Sequence, residues 1–170
     1  MSKSVLSDAF AHQVWATLQV IDACLALSPE QLDTAVPGTY GTILDTMRHL
    51  VWADSWYLFR TSGERTTVLE DEDHIDLPGL RSAMEAYGAA WPSVLAQGTD
   101  PDVMIVVRRD DESETHAPMG IRLAQVLHHG TDHRSQICTA LTTLGVEPPA
   151  IDLWEFGQQN GRVVEVPPTS

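Results

Sequence analysis

The segment LAQVLHHGTDHRSQI, residues 123–137, sets His129 and His133 four positions apart, which on a helix is one turn apart on a common face. Neutral imidazole nitrogens so placed can approach one metal ion at about 2.0–2.1 Å, so the pair is a candidate half of a metal centre. A third ligand must then come from elsewhere in the chain. His49, within DTMRHLVWADSWYLF, is the candidate: an imidazole turned inward there needs either a metal or a hydrogen-bond partner. The competing reading makes His49 a satisfied core histidine and His129 and His133 a solvated pair, and pattern alone does not separate the two. His128 points roughly 100° away from His129, and His12, His74 and His116 have no companion at ligand spacing.

Other residues are weighed beside these. Gln136, three past His133, could orient a ligand, although a polar contact between helices explains it more simply. Asp54 falls on the apolar stripe of its helix and is read as bonded to a neighbouring helix in preference to a partner of the metal ligands. Asp132 lies off the histidine face and is read as solvated. Trp52, Trp56 and Trp91 serve as core packing, with a pocket lining as the alternative. Cys24 and Cys138 are read as small buried hydrophobes, because nothing marks either as a thiol of lowered pKa. The acidic run Glu70 to Asp73 lacks the spacing of a calcium loop.

The elements that must position these groups are legible from periodicity. Leu6, Phe10, Val14, Leu18, Ile21 and Leu25 recur at helical spacing over Val5 to Leu27. Ser28-Pro29-Glu30 opens a short helix to about Thr34, before Pro37-Gly38. A second long helix is expected from Thr42 to Thr61, with Gly63 as its stop, followed by a solvated acidic loop over residues 64–76. The third is expected from Pro78 to Gln97, kinked or divided at Pro92. Val103 to Val107 reads as an extended segment or irregular hairpin. The fourth long helix runs from Gly120 to Leu144, closed by Gly145, and a short helix covers Asp152 to Gln159. Four long amphipathic helices of similar length describe an all-α, antiparallel four-helix bundle with short extra helices and a short extended segment.

Composition narrows the function classes. A chain of 170 residues can bury about 70% of its unfolded surface, so residues 1–170 are expected to form a single domain without staples. With 10 Lys plus Arg against 24 Asp plus Glu, the formal charge of -14 argues against nucleic acid and anionic membrane as partners. Lys3 is the only lysine, which argues against a Schiff-base or P-loop lysine. The two cysteines form neither a CxxC motif nor a disulfide framework, and no signal-peptide or membrane-spanning run is read, so a soluble cytoplasmic protein is expected.

His49, followed by HGTDHRSQI and the LTTLG helix end, resembles the DinB/YfiT-like superfamily of small four-helix metalloproteins, which includes metal-dependent thiol transferases. The specific residues are His49, His129, His133, Arg134 and Gln136, and DLWEF, Asp152 to Phe156, is similar too. The resemblance implies up-down-down-up connectivity, a divalent ion held by His49, His129 and His133, and a homodimer; zinc or nickel is the expected ion, although three imidazoles also accept copper or iron. It also implies a small-molecule substrate and a low-molecular-weight thiol, such as mycothiol or bacillithiol, as cofactor. One departure is Ser135, where family members usually carry glycine. Three histidines without a carboxylate leave a coordination position open, as catalytic sites do. A thiol bound there would be deprotonated, following the family resemblance; water would become hydroxide, following generic metal chemistry. The alternative is a non-catalytic metal-binding or stress-response dimer.

Overall fold

Capping side chains start most of the helices where the sequence puts them. In the computed structural model, which describes residues 4–70, 74–97, 100–166 and 168, the Ser4 hydroxyl accepts from the Ser7 amide and opens α1, Val5–Cys24. Ser28 and Gln31 form a reciprocal capping box around α2, Pro29–Leu32, and Thr42 and Asp45 do the same for α3, Ile43–Thr61. The Asp76 carboxylate accepts from the Gly79 amide at the start of α4, Leu77–Leu95. Two antiparallel strands follow, β1, Met104–Arg108, and β2, Glu114–Pro118, in register from Met104 opposite Pro118 to Arg108 opposite Glu114. The helix α5, Met119–Thr143, begins directly after β2 and lacks a side-chain cap. Its first amides are met instead by backbone: Met119 donates to the Val103 carbonyl at 2.8 Å and Gly120 to Pro101 at 2.9 Å. At its far end Gly145 takes a positive φ of 73°, and the Val146 amide closes the turn onto the Leu141 carbonyl at 2.9 Å. Asp152 caps α6, Leu153–Gln159.

The four long helices pack as a bundle in which α1 and α3 each lie against both α4 and α5. Their apolar stripes meet in a continuous core that includes Phe10, Ile21, Met47, Leu50, Leu80, Met84, Trp91, Ile137 and Leu141. Phe10 and Trp91 join α1 to α4 through rings 4.5 Å apart. No helix among the described residues is long and apolar enough to cross a membrane.

Three expectations are corrected. The first helix ends at Cys24, short of Leu27, and Leu25 is exposed. The third is not divided at Pro92; because the helix stops at Leu95, the proline sits in its last turn and removes a single late backbone donor. Parts of the connection over residues 64–76 are tied down instead of freely solvated. The Leu69 amide donates to Ser55 Oγ at 2.9 Å, Arg48 Nε donates to the Ile75 carbonyl at 3.0 Å, and Leu69 and Ile75 pack on the core. Residues 71–73 of the acidic run lie outside the described residues.

Candidate metal centre

Packing α3 against α5 brings the three predicted histidines together. His49 Nε2 lies 3.2 Å from His129 Nε2, which lies 3.1 Å from His133 Nε2. One ring nitrogen from each of the three falls within 4.8 Å of the others. An ion bound tetrahedrally at about 2.0–2.1 Å would separate its nitrogen ligands by roughly 3.3 Å, so these spacings match a shared ion. The rings meet at steep angles of 62°, 86° and 74°, which turns their nitrogen edges toward one point.

Gln136 sets the tautomer of His133. Its Oε1 accepts the Tyr40 backbone amide at 3.1 Å and also lies 2.9 Å from His133 Nδ1. Because a backbone amide can only donate, the atom facing Nδ1 is the carboxamide oxygen, so Nδ1 carries the proton and Nε2 presents a lone pair to the cluster. Tyr40 itself stacks on His49, with ring centroids 4.1 Å apart and planes 10° from parallel, and stands edge-on to His133 at 5.5 Å. Its loop is closed by the Ala35–Thr42 bridge and by Thr39 Oγ1 donating to the Val36 carbonyl at 2.7 Å.

Burial keeps two of the three rings, His49 and His129, neutral. It pushes His129 down to about 4, helped by charge repulsion from His133 and His49, and burial followed by His133 holds His49 below the ordinary histidine value. Neutral imidazoles are the form that ligates. Nδ1 of His129 is buried without a hydrogen-bond partner among the described residues.

Behind the histidines lies a buried polar layer. Arg134 Nη1 donates to Gln13 Oε1 at 2.5 Å and to Thr17 Oγ1 at 3.1 Å, and Gln13 Nε2 donates to the Asp54 carboxylate at 3.3 and 3.4 Å. Burial pushes Asp54 up to about 7 and Arg134 down to about 10. Gly130, next to His129, makes room for this layer, since a Cβ there would overlap the Gln13 amide.

The remaining candidates divide. Asp54 bonds to α1, the neighbouring helix, and Gln136 bonds to a histidine as well as to the Tyr40 loop. His128 and Asp132 are exposed, and His12 contacts the Ile151 carbonyl at 2.7 Å. Trp91 is core, whereas Trp52 and Trp56 are half-buried, with Trp52 6.3 Å from the His49 ring. Cys24 is buried and pushed up to about 12; Cys138 is half-buried and also raised by burial, so neither is a thiolate near neutral pH. Ser135 is exposed and has room for its side chain. Sequence reasoning missed Tyr40 and Gln13, although the PGTYG turn directly before the His49 helix was a usable signal for the first.

Compared with models of known families, residues 1–162 match the DinB family. The chain belongs to the DinB family. Comparison with curated proteins finds no match. In this DinB-family protein the late HxxxH, Arg and Gln positions have separate jobs. Two imidazoles face His49, Arg134 turns into the buried layer, and Gln136 fixes one imidazole.

Proposed function

We propose that this DinB-family protein is a divalent-metal-dependent enzyme in which His49, His129 and His133 bind zinc or nickel and a small thiol or water is activated against a small electrophile. The observation that carries the reading is the meeting of three imidazole nitrogens, one with its tautomer fixed by Gln136, with no carboxylate among the converging groups. Such an ion, when bound, acidifies a coordinated thiol or water. The chain's own part is to orient the imidazoles, to keep His49 and His129 neutral and to cover His49 with the Tyr40 ring. Small-molecule partners and a cytoplasmic, homodimeric state belong to the same proposal, as does a single domain.

We also assign the four long helices an up-down-down-up antiparallel order. Support comes from Arg81 Nε, early in α4, contacting Asp22 Oδ1, late in α1, at 2.7 Å, while Phe10 meets Trp91. Early α3 contacts the chain just before α4 through Arg48 and Ile75, and His49 faces His133 while Trp56 faces Arg122. A second reading, a non-catalytic metal-binding or stress-response dimer, draws on the Tyr40 ring lying over His49. Assay of thiol consumption with a chromogenic aryl halide, in metal-loaded protein and in His129→Ala, separates the two. Turnover lost with the ligand supports the enzyme; a bound ion with no turnover across thiols supports the second reading.

Two further outcomes follow. Gln136→Ala is expected to weaken metal affinity by about 10–100-fold, because His133 is no longer held with its proton on Nδ1. Gln136→Glu, which keeps an acceptor there, retains more of it in a chelator-competition titration. The pH dependence has a definite sign: lowered pKa values keep His49 and His129 deprotonated below 6.5, where an exposed histidine takes up a proton. Protons are therefore expected to compete less with metal at these two ligands below pH 6.5 than at exposed histidines, with competition at His129 growing as pH approaches about 4. Loss of metal already complete at pH 6.5 would contradict this.

A further inference from the structure

The strongest concentration of positive charge is not at the histidines but beside them. Trp52 and Trp56 of α3, with Arg60, face the hairpin residues Arg108 and Arg109 and Arg122 of α5 across a cleft of about 340 Å³. Four of the nine arginines in a chain of net charge -14 thus line one cleft, and no carboxylate is part of its lining. Some of this charge is answered at the edges: Glu64 pairs with Arg60 at 2.6 Å and Glu114 with Arg108 at 2.7 Å. Arg109 reaches Ser113 Oγ at 3.5 Å, near Asp111.

Arg122 is different. It is 6% exposed, and no carboxylate among the described residues lies within ion-pair distance of it. Nη2 donates to the Ile105 carbonyl at 3.3 Å, but Nε is buried with no partner among the described residues, and the Nε of Arg60 is in the same condition. Trp56 lies between the two, 5.5 Å from the Arg60 guanidinium and 5.9 Å from that of Arg122. Burial and then repulsion from Arg60 depress the pKa of Arg122, which marks a cation held without its counter-ion. A buried guanidinium with unmet donors is expected to be answered by an anion.

We propose that this cleft binds the carboxylate of a small, flat organic anion, with Arg122 and Arg60 as the anion contacts and the Trp52 and Trp56 rings as its apolar wall. The volume suits a small molecule. Trp52, which lines the cleft, also stands 6.3 Å from the His49 ring, so the cleft and the histidine cluster adjoin the same side chain. The inference thereby names the substrate class for the activity proposed above and rests on that reading for its role in turnover, whereas the binding step is measured alone.

Isothermal titration of the 170-residue chain at low ionic strength with benzoate, and with its neutral isostere benzamide, tests it. Benzoate is expected to bind saturably with a Kd of about 1 mM, and benzamide about tenfold or more weakly. Arg122→Gln and Arg60→Gln should each weaken benzoate about tenfold while leaving the weak benzamide signal unchanged. If Arg122→Gln does not fold, as judged by circular dichroism, Arg60→Gln decides. Equal binding of benzoate and benzamide, or parental benzoate affinity in Arg60→Gln and in any folded Arg122→Gln, overturns the proposal. Metal content measured on the same preparations reports the histidine site separately, so missing metal with benzoate binding intact counts against the function proposed above and not against the cleft.

Discussion

Alanine at His129 or His133 is expected to lower affinity for a divalent ion by about 10²–10³-fold. The magnitude follows from structural zinc sites, where about 10–16 kcal/mol of binding free energy shared among four protein ligands assigns about 2.5–4 kcal/mol to each. Both residues belong to one helix and contribute through Nε2 atoms 3.1 Å apart, so removing either leaves a two-nitrogen site. His128→Ala is the matched control: its exposed ring projects away from the cluster, and affinity should remain parental. Competition against a chromophoric chelator reads all three. Parental affinity in both His129→Ala and His133→Ala would mean that the ion, if any, binds elsewhere.

The second large effect is on stability. Arg134→Ala is expected to lower the unfolding free energy by about 3–5 kcal/mol, the range seen when one partner of a buried charged network is removed. Arg134 is 2% exposed and answers both Gln13 Oε1 and Thr17 Oγ1, while Gln13 in turn answers Asp54, which is fully buried. Truncation leaves those acceptors dry and takes away the positive charge that offsets part of the burial of Asp54. For a chain of this size each kcal/mol moves the thermal midpoint by about 2–4 °C, so a drop of roughly 6–20 °C is expected in a calorimetric scan. Asp132→Ala, at an exposed neighbouring position, should change stability by less than about 0.5 kcal/mol. A shift in Arg134→Ala no larger than that of Asp132→Ala would show that the layer contributes nothing net.

The two effects explain why adjacent motif positions were unequally legible. His129 and His133 were readable because a spacing of four residues on a helix fixes a common face whatever the tertiary context. His49 needed more: its pairing with α5 depends on which helices are neighbours, and periodicity gives faces but not neighbours. Asp54 was anticipated as bonded to an adjacent helix, yet Gln13, its partner, sat inside an otherwise ordinary amphipathic pattern in α1 with no local mark. Tyr40 escaped because loops have no period; its place over His49 is set by the bridge between Ala35 and Thr42 and by the hydrogen bond from its own amide to Gln136. The arginine cleft was unreadable for the same reason, since Arg60, Arg108 and Arg122 come from three elements that meet only after the hairpin folds over α3 and α5. Helix starts fared better, because Ser28, Thr42, Asp76 and Asp152 cap through contacts only two or three residues away. The end of α1 and the passage of α4 through Pro92 depend on where neighbouring chain packs, and there local signals misled.

The central claim is that three histidines from two helices hold one ion. Elemental mass spectrometry of untagged protein, prepared without chelators and set beside its His49→Ala, His129→Ala and His133→Ala variants, tests it most directly. About one divalent ion per chain, absent from all three variants, is the predicted result. Protein that takes up no metal, or a His49→Ala variant that keeps a full equivalent, would contradict it.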